Sequence, residues 1–152
     1  MMVFNVDTDG ALRQVKRLWL EYAEHYASEL GDQDLAAEAD ALPTGFQHPT
    51  GALLAAMDDG VVHGVVGVKK RDAATCEMKR LFVAKTARGT GVGRKLANAA
   101  IREGKRLGYV NMWLDTSETM VEAQALYASI GFEVIEGDSS PCRAPVYMQK
   151  RL

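Results

Sequence analysis

Arg88-Gly89-Thr90-Gly91-Val92-Gly93-Arg94 stands between an apolar run ending in Leu81-Phe82-Val83 and a stretch of helical periodicity. Glycines at such a junction let the backbone curl without Cβ clashes. Their N–H groups then converge on one point, and the start of a helix adds its partial positive charge. Arg88 and Arg94 flank the turn with full charges. The stretch therefore reads as an anion cradle, and its natural ligand is a pyrophosphate. A Walker A loop fails here, because the sixth position counted from Gly89 is Arg94 rather than glycine. A GxGxxG fingerprint fits Gly89 and Gly91 and fails at Arg94 again. Asp115, at the end of the next predicted strand, stands near where a ribose-binding acid would sit, so a nucleotide-binding reading stays open. Glycines serving a turn alone are the poorer explanation of three alternating glycines between two arginines.

Outward from the turn, the periodicities predict a β-α-(α)-β-β-β-α-β-α-β-β order. Val3–Val6 reads as a strand, and Thr8 or Asp9 can cap a helix from Ala11 to about Leu30, stopped by Gly31. Leu12, Val15, Leu18, Trp19, Tyr22, Tyr26 and Leu30 form its apolar stripe. A short helix is expected at Leu35–Leu42 and a loop over 43–51. Strands follow at Ala52–Met57, Val61–Lys69 and Thr75–Val83, the first two joined by a hairpin at Asp58-Asp59-Gly60. Gly91–Leu107 reads as helix closed by Gly108, and Tyr109–Asp115 as strand. Thr116 or Ser117 then caps a helix carrying Met120, Ala123, Leu126, Tyr127 and Ile130. Gly131 ends it before strands at Phe132–Ile135 and Val146–Arg151, with a loop, Glu136–Pro145, between them. This density of strands and helices implies a mixed α/β sheet covered on both faces. No linker or repeat divides the 152 residues, so residues 1–152 read as a single domain.

Composition narrows the function classes. The chain is 47% hydrophobic and 25% charged, values of a globular protein rather than a disordered or fibrous one. With 18 basic against 20 acidic residues, no field suited to nucleic acid is built. The most apolar run, residues 61–68, is far shorter than the ~20 residues of a membrane span. The first ten residues lack the basic and apolar regions of a signal peptide. Cys76 and Cys142 form neither a disulfide framework nor a metal-ligand pattern. The expectation is a cytoplasmic protein without a metal.

Two motifs carry a family resemblance. Arg88-x-x-Gly91-x-Gly93 after Leu81-Phe82-Val83 resembles the acyl-CoA-binding motif of the GNAT superfamily of N-acetyltransferases. Ala123-Gln124-Ala125-Leu126-Tyr127 followed by Ile130-Gly131-Phe132 is similar to the A-x-x-L-Y-x-x-x-G-F segment of the same superfamily. Order and spacing agree, and Glu77-Met78-Lys79-Arg80-Leu81-Phe82-Val83 resembles a bacterial branch of small members. One departure is Met120, which stands where the superfamily often has Asn.

The resemblance implies a GNAT-like fold, a mostly antiparallel sheet splayed between two parallel strands, here Thr75–Val83 and Tyr109–Asp115. Acetyl-CoA would enter that opening as co-substrate. Its pyrophosphate would rest on Arg88, Gly89, Thr90, Gly91, Val92, Gly93 and Arg94, and its pantetheine arm along Leu81, Phe82, Val83 and Ala123. Tyr127 is the family-matched general acid, although its place on an apolar stripe also suits core packing. Glu77 is the candidate base, directly or through water. Strand alternation puts it on one face with Leu81 and Val83 unless a bulge shifts parity. A surface ion pair with Lys79 or Arg80 is the competing role. Tyr22, Tyr26 and Phe46 fall where the family builds its acceptor site, though the first two also fit the buried stripe. His25, His48 and His63 read as solvent-facing or satisfied. Neither cysteine sits in a nucleophile motif, so direct transfer to an amine in a ternary complex is expected. The acceptor would be a small or amino-acid-like amine, with a protein N-terminus or lysine left open. A homodimer is left open, and a non-catalytic acyl-CoA sensor or a nucleotide-binding module remain the rival readings.

Overall fold

The computed structural model describes residues 1–27, 34–136 and 145–152. One seven-stranded sheet organises them. Its strands are β1 (Met2–Asn5), β2 (Ala52–Asp58), β3 (Val61–Lys70), β4 (Thr75–Val83), β5 (Asn111–Ser117), β6 (Glu133–Ile135) and β7 (Pro145–Arg151). The helices are α1 (Asp9–His25), α2 (Leu35–Ala41), α3 (Val92–Arg106) and α4 (Val121–Ser129), with a 3-10 turn at Lys85–Ala87. The element order is the one the periodicities predict. The expected run of α1 to Leu30, the Gly31 stop, Cys142 and most of the Glu136–Pro145 loop lie outside the described residues, and α1 itself closes at His25.

Local chemistry sets the boundaries. Thr8 caps α1 by accepting the Ala11 N–H at 3.2 Å, and Asp34 caps α2 through Ala37 N at 3.0 Å. In the β2–β3 hairpin Asp59 and Gly60 both take positive φ, 49° and 75°, as a two-residue turn of right-handed twist requires. Helix α3 exits through a Schellman motif: Gly108 N bonds Lys105 O and Tyr109 N bonds Gly104 O. That exit consumes residues 108 and 109, so β5 begins at Asn111 rather than Tyr109. Thr116 and Ser117 are not helix caps. They end β5, paired with Val146 and Pro145, and Met120 becomes the side-chain-free cap of α4.

The strand order is β1-β2-β3-β4-β5-β7-β6. Every described pairing is antiparallel except β4 with β5. Helices cover both faces. On one, Leu96, Ala97 and Ala100 of α3 and Tyr127 of α4 pack against Leu54, Val66, Val68, Met78 and Met112. On the other, Val15, Trp19 and Tyr22 of α1 and Leu35 of α2 meet Leu53, Val65 and Phe82.

Two irregularities at β4 shape the middle of the sheet. First, the parallel ladder is short: Thr75, Cys76 and Glu77 pair with Asn111, Met112 and Trp113, and no pairing follows. Beyond that point β4 stays with β3 and β5 stays with β7, so a wedge opens between them. Second, β4 carries a bulge. Val65 faces Phe82 while Gly67 faces Lys79, so three steps on β4 match two on β3. Arg80 sits in the extra step at φ +58°, a left-handed conformation costing a non-glycine residue about 1–2 kcal/mol. The bulge reverses parity. Met78 and Cys76 belong to the α3-side core, yet so do Leu81 and Val83. Glu77 therefore points to the face opposite Leu81 and Val83, which corrects the unbroken alternation.

Candidate active site

The wedge leads to a cleft of about 250 Å³. Of the predicted cofactor residues, Leu81, Phe82, Val83, Arg88, Gly89, Gly91, Val92, Gly93 and Ala123 line it. Thr90 and Arg94 do not. The Thr90 hydroxyl donates to Ala87 O, which tightens the turn from within, and Arg94 is exposed on the first turn of α3. Tyr26, Ala87, Glu122 and Leu126 complete the lining. Leu126 belongs to the quoted Leu-Tyr motif. For Tyr26 the resemblance implies the acceptor site and the stripe implies the core, because a lining side chain on a half-buried helix has the same spacing as a core one.

The glycines divide by role. Gly89 and Gly91 have φ of +79° and +84°, and a Cβ on either would meet nothing within 4 Å. Backbone conformation, not crowding, demands glycine at both, and the space ahead of them is open. Gly93 lacks positive φ, and its Cβ would make ordinary contacts with Val83 and Leu126 at 3.6 and 3.7 Å. Gly91 is the N-cap of α3, and the ladder starts with Lys95 N to Gly91 O at 3.1 Å. The N–H groups of Val92, Gly93 and Arg94 precede that first bond and lack intrahelical acceptors. Arg88 folds back, its Nε donating to Val83 O at 3.1 Å and its guanidinium 5.3 Å from the centre of the Phe82 ring. Positive-φ glycines, free helix amides and one arginine make this turn fit a pyrophosphate.

Tyr127 is buried, 5.9 Å from Phe132 in an edge-to-face contact. Burial pushes its phenol well above the usual range, and the fields of Tyr22, Tyr26 and Asp115 push the same way. Tyr22 lies on α1, Tyr26 caps its C-terminus and Asp115 lies on β5. Asp115 figured in the sequence only as a ribose contact. Here its field reaches both Tyr127 and Glu77.

Glu77 closes the parallel ladder opposite Trp113. Burial raises its carboxyl above the ordinary range, Lys79 opposes that, and Asp115 adds to it. The Lys79 pair expected as a competing role is present, with Nζ 3.7 Å from Oε1. The Arg80 alternative is not, since Arg80 is bound to Glu38. Around Glu77, Trp113 stacks with Tyr147 at 5.7 Å and carries the Arg71 guanidinium 3.7 Å from its ring centre. Neither candidate catalytic residue lines the cleft: Tyr127 is buried in the α3-side core next to the lining residue Leu126, and Glu77 points to the opposite face of the sheet.

The remaining candidates fall elsewhere. Phe46 and Tyr22 are buried, Phe46 against Trp19 at 5.4 Å. His48 lies 3.3 Å from Glu103 on α3, and exposed His25 rests on Tyr26 at 4.5 Å. Cys76 is buried, with its thiol pushed up to about 12 by burial.

Comparison with known proteins agrees with this arrangement. An uncharacterised N-acetyltransferase of Schizosaccharomyces pombe is 35% identical over 127 residues, 82% of this chain and 78% of that protein. An uncharacterised N-acetyltransferase of Escherichia coli is 30% identical over 73 residues, 48% of this chain and 44% of its own length. Among solved structures, a GNAT-family acetyltransferase of Staphylococcus aureus Mu50 superposes with a TM-score of 0.82 at 18% identity, covering 99% of this chain and 98% of that one. An aminoglycoside 6′-N-acetyltransferase complexed with coenzyme A superposes with a TM-score of 0.75 at 18% identity, covering 99% and 97%. At these identities the structural likeness speaks for the fold. Residues 12–132, which hold the glycine turn, the wedge and Tyr127, match the Acetyltransferase (GNAT) family, and the chain belongs to that family.

Proposed function

We propose that this chain moves the acetyl group of acetyl-CoA directly to a primary amine of a small or amino-acid-like acceptor, both substrates being bound at once. The observation that carries the reading is the wedge: β4 and β5 part immediately after Glu77 and Trp113, beside a glycine turn shaped for pyrophosphate. The solved aminoglycoside acetyltransferase with coenzyme A shares this fold, which supports the choice of cofactor.

The chain's own groups divide the work. The turn from Gly89 to Arg94 holds the pyrophosphate by backbone N–H groups and the α3 terminus. The edge of β4 that faces away from β3 beyond Glu77 has lost its β5 partner, so its backbone groups near Leu81 and Val83, apart from the Val83 carbonyl that holds Arg88, are available to the pantetheine amides. A backbone N–H there polarises the acetyl carbonyl. Glu77 takes the proton of the attacking amine, directly or through a water. Its burial moves the carboxyl toward the operating pH, which improves a general base, while Lys79 keeps it from becoming permanently protonated. The nitrogen bonds to the acetyl carbon, the carbon–sulfur bond breaks, and Tyr127 gives its proton to the departing sulfur. Burial keeps the phenol protonated at neutral pH and also makes it a weaker acid, so it acts by hydrogen-bonding the sulfur and releases the proton only as the carbon–sulfur bond breaks. Cys76 has no part in the transfer, because a buried thiol near 12 is no nucleophile at neutral pH.

The test is a thermal-shift titration with acetyl-CoA, ADP and NAD, followed by thiol release against amino acids, polyamines, aminoglycosides and peptides. Acetyl-CoA should stabilise far more than ADP, since only it carries the arm. Equal stabilisation by ADP or NAD would transfer the site to a nucleotide-binding module. Strong acetyl-CoA binding with no thiol release on any amine would make the protein a sensor.

A further inference from the structure

We propose that Arg80, clamped by Glu38, is the positioning residue that holds the β4 bulge and thereby places the pantetheine-reading edge relative to Glu77. The inference rests on the acetyl-CoA reading above and concerns residues outside the cleft lining.

Arg80 occupies the extra step of the bulge at φ +58°, a place where glycine is the usual residue. It is also 7% exposed. A buried arginine in strained backbone persists only where its surroundings over-determine it. Those surroundings are specific. Arg80 Nε donates to Glu38 Oε1 at 2.9 Å and Nη2 to Oε2 at 3.0 Å, a bidentate pair. Trp19 Nε1 donates to the same Oε1 at 3.1 Å, which ties the pair to α1. Burial alone would raise the Glu38 carboxyl, but the hydrogen bonds and charge of Arg80 hold it below its usual range. The guanidinium also lies 5.8 Å from the Tyr22 ring centre, and Tyr22 packs edge-on to Phe82 at 5.7 Å. The clamp thus reaches the aromatic wall of the cleft as well as the strand.

The consequence follows from parity. With the bulge, Leu81 and Val83 face the α3 side while Glu77 faces the other. If the bulge slips out, every residue on one side of it changes face. The backbone groups that read the pantetheine arm would then lose register with the wedge, whereas the glycine turn on α3 would not move. The expected signature is loss of acetyl-CoA affinity with ADP affinity preserved.

Calorimetry of acetyl-CoA and ADP on Arg80→Met, Arg80→Gly and Glu38→Gln tests this, the wild type serving as control. Met keeps the left-handed strain and removes the clamp, so the ratio of ADP to acetyl-CoA dissociation constants should fall about tenfold, the loss of one or two pantetheine hydrogen bonds. Gly takes φ above zero at no steric cost, so it should recover the ratio to within about threefold. Glu38→Gln, the mild variant, should lie between them and serves if Arg80→Met fails to fold. A folded Arg80→Met or Glu38→Gln with the wild-type ratio overturns the proposal. So does a fall in Arg80→Gly as deep as in Arg80→Met, or equal weakening of both ligands. A wild type that does not distinguish acetyl-CoA from ADP instead removes the acetyl-CoA reading itself.

Discussion

Replacing Gly91 by valine separates the two reasons for a glycine at the turn. Its φ of +84° and ψ of 6° belong to the left-handed region, which costs a residue with a Cβ about 1–2 kcal/mol and a β-branched one more. For a chain of this size each kcal/mol moves the melting point by roughly 2–4 °C, so a loss of about 2 kcal/mol predicts a drop of about 4–8 °C. The fold should survive, because the added Cβ meets no protein atom within 4 Å. That open space is where a pyrophosphate would lie. Displacing one charge-assisted amide bond forfeits about 1.5–3 kcal/mol, which predicts roughly 10–100-fold weaker acetyl-CoA binding. Gly60→Val is the matched control. Gly60 has φ +75° and equally open surroundings, but it turns the β2–β3 hairpin. It should lose similar stability and keep its affinity. Calorimetry on both folded variants decides the matter. If Gly91→Val binds acetyl-CoA as tightly as Gly60→Val does, the turn is not the phosphate site.

Tyr127→Phe keeps the buried ring and deletes the proton, so kcat for thiol release should fall by about 10²–10⁴ with acetyl-CoA binding near normal; an unchanged kcat returns Tyr127 to core packing. Gly93→Ala adds a methyl at ordinary contact distance in a helical position, so its stability should hold or rise by up to about 1 kcal/mol, roughly 2–4 °C in melting temperature, in contrast to Gly91→Val. Glu77→Gln bears on pH twice. Burial raises the carboxyl in the fold, so its stabilising protonated form prevails below its ordinary value of 4.5 and is lost as pH rises through the raised one. The neutral amide should therefore raise the melting temperature at pH 8, with the gain vanishing toward pH 4, and should flatten the rise of kcat/KM with pH. A profile and melting curve that match the wild type would leave Glu77 only its bond to Lys79.

What the sequence discloses depends on how local the cause is. The glycine turn could be read directly, because conformation, helix start and flanking charge all lie within residues 88–94. The Asp59–Gly60 hairpin and the Gly108 helix exit are legible for the same reason. The face of Glu77 was not. Alternation carries parity only along an unbroken ladder, and the break occurs at an arginine, where nothing in the residue type announces positive φ. A glycine at position 80 would have given the bulge away. The partner that holds Arg80 is Glu38, 42 residues upstream on a seven-residue helix whose own pattern predicts only burial. Tyr26 is hidden for a related reason: one apolar stripe serves both the core, through Trp19 and Tyr22, and the cleft, through the next turn. The proposed cradle for the nucleotide end is thus written in one short segment. In the proposed mechanism the relation between acid, base and thioester rests instead on where β4 leaves β5 and on which face each residue has after residue 80. Both are decided by contacts between distant parts of the chain, so substitutions at positions 38 and 80 should alter transfer while leaving every residue of the recognisable motifs in place.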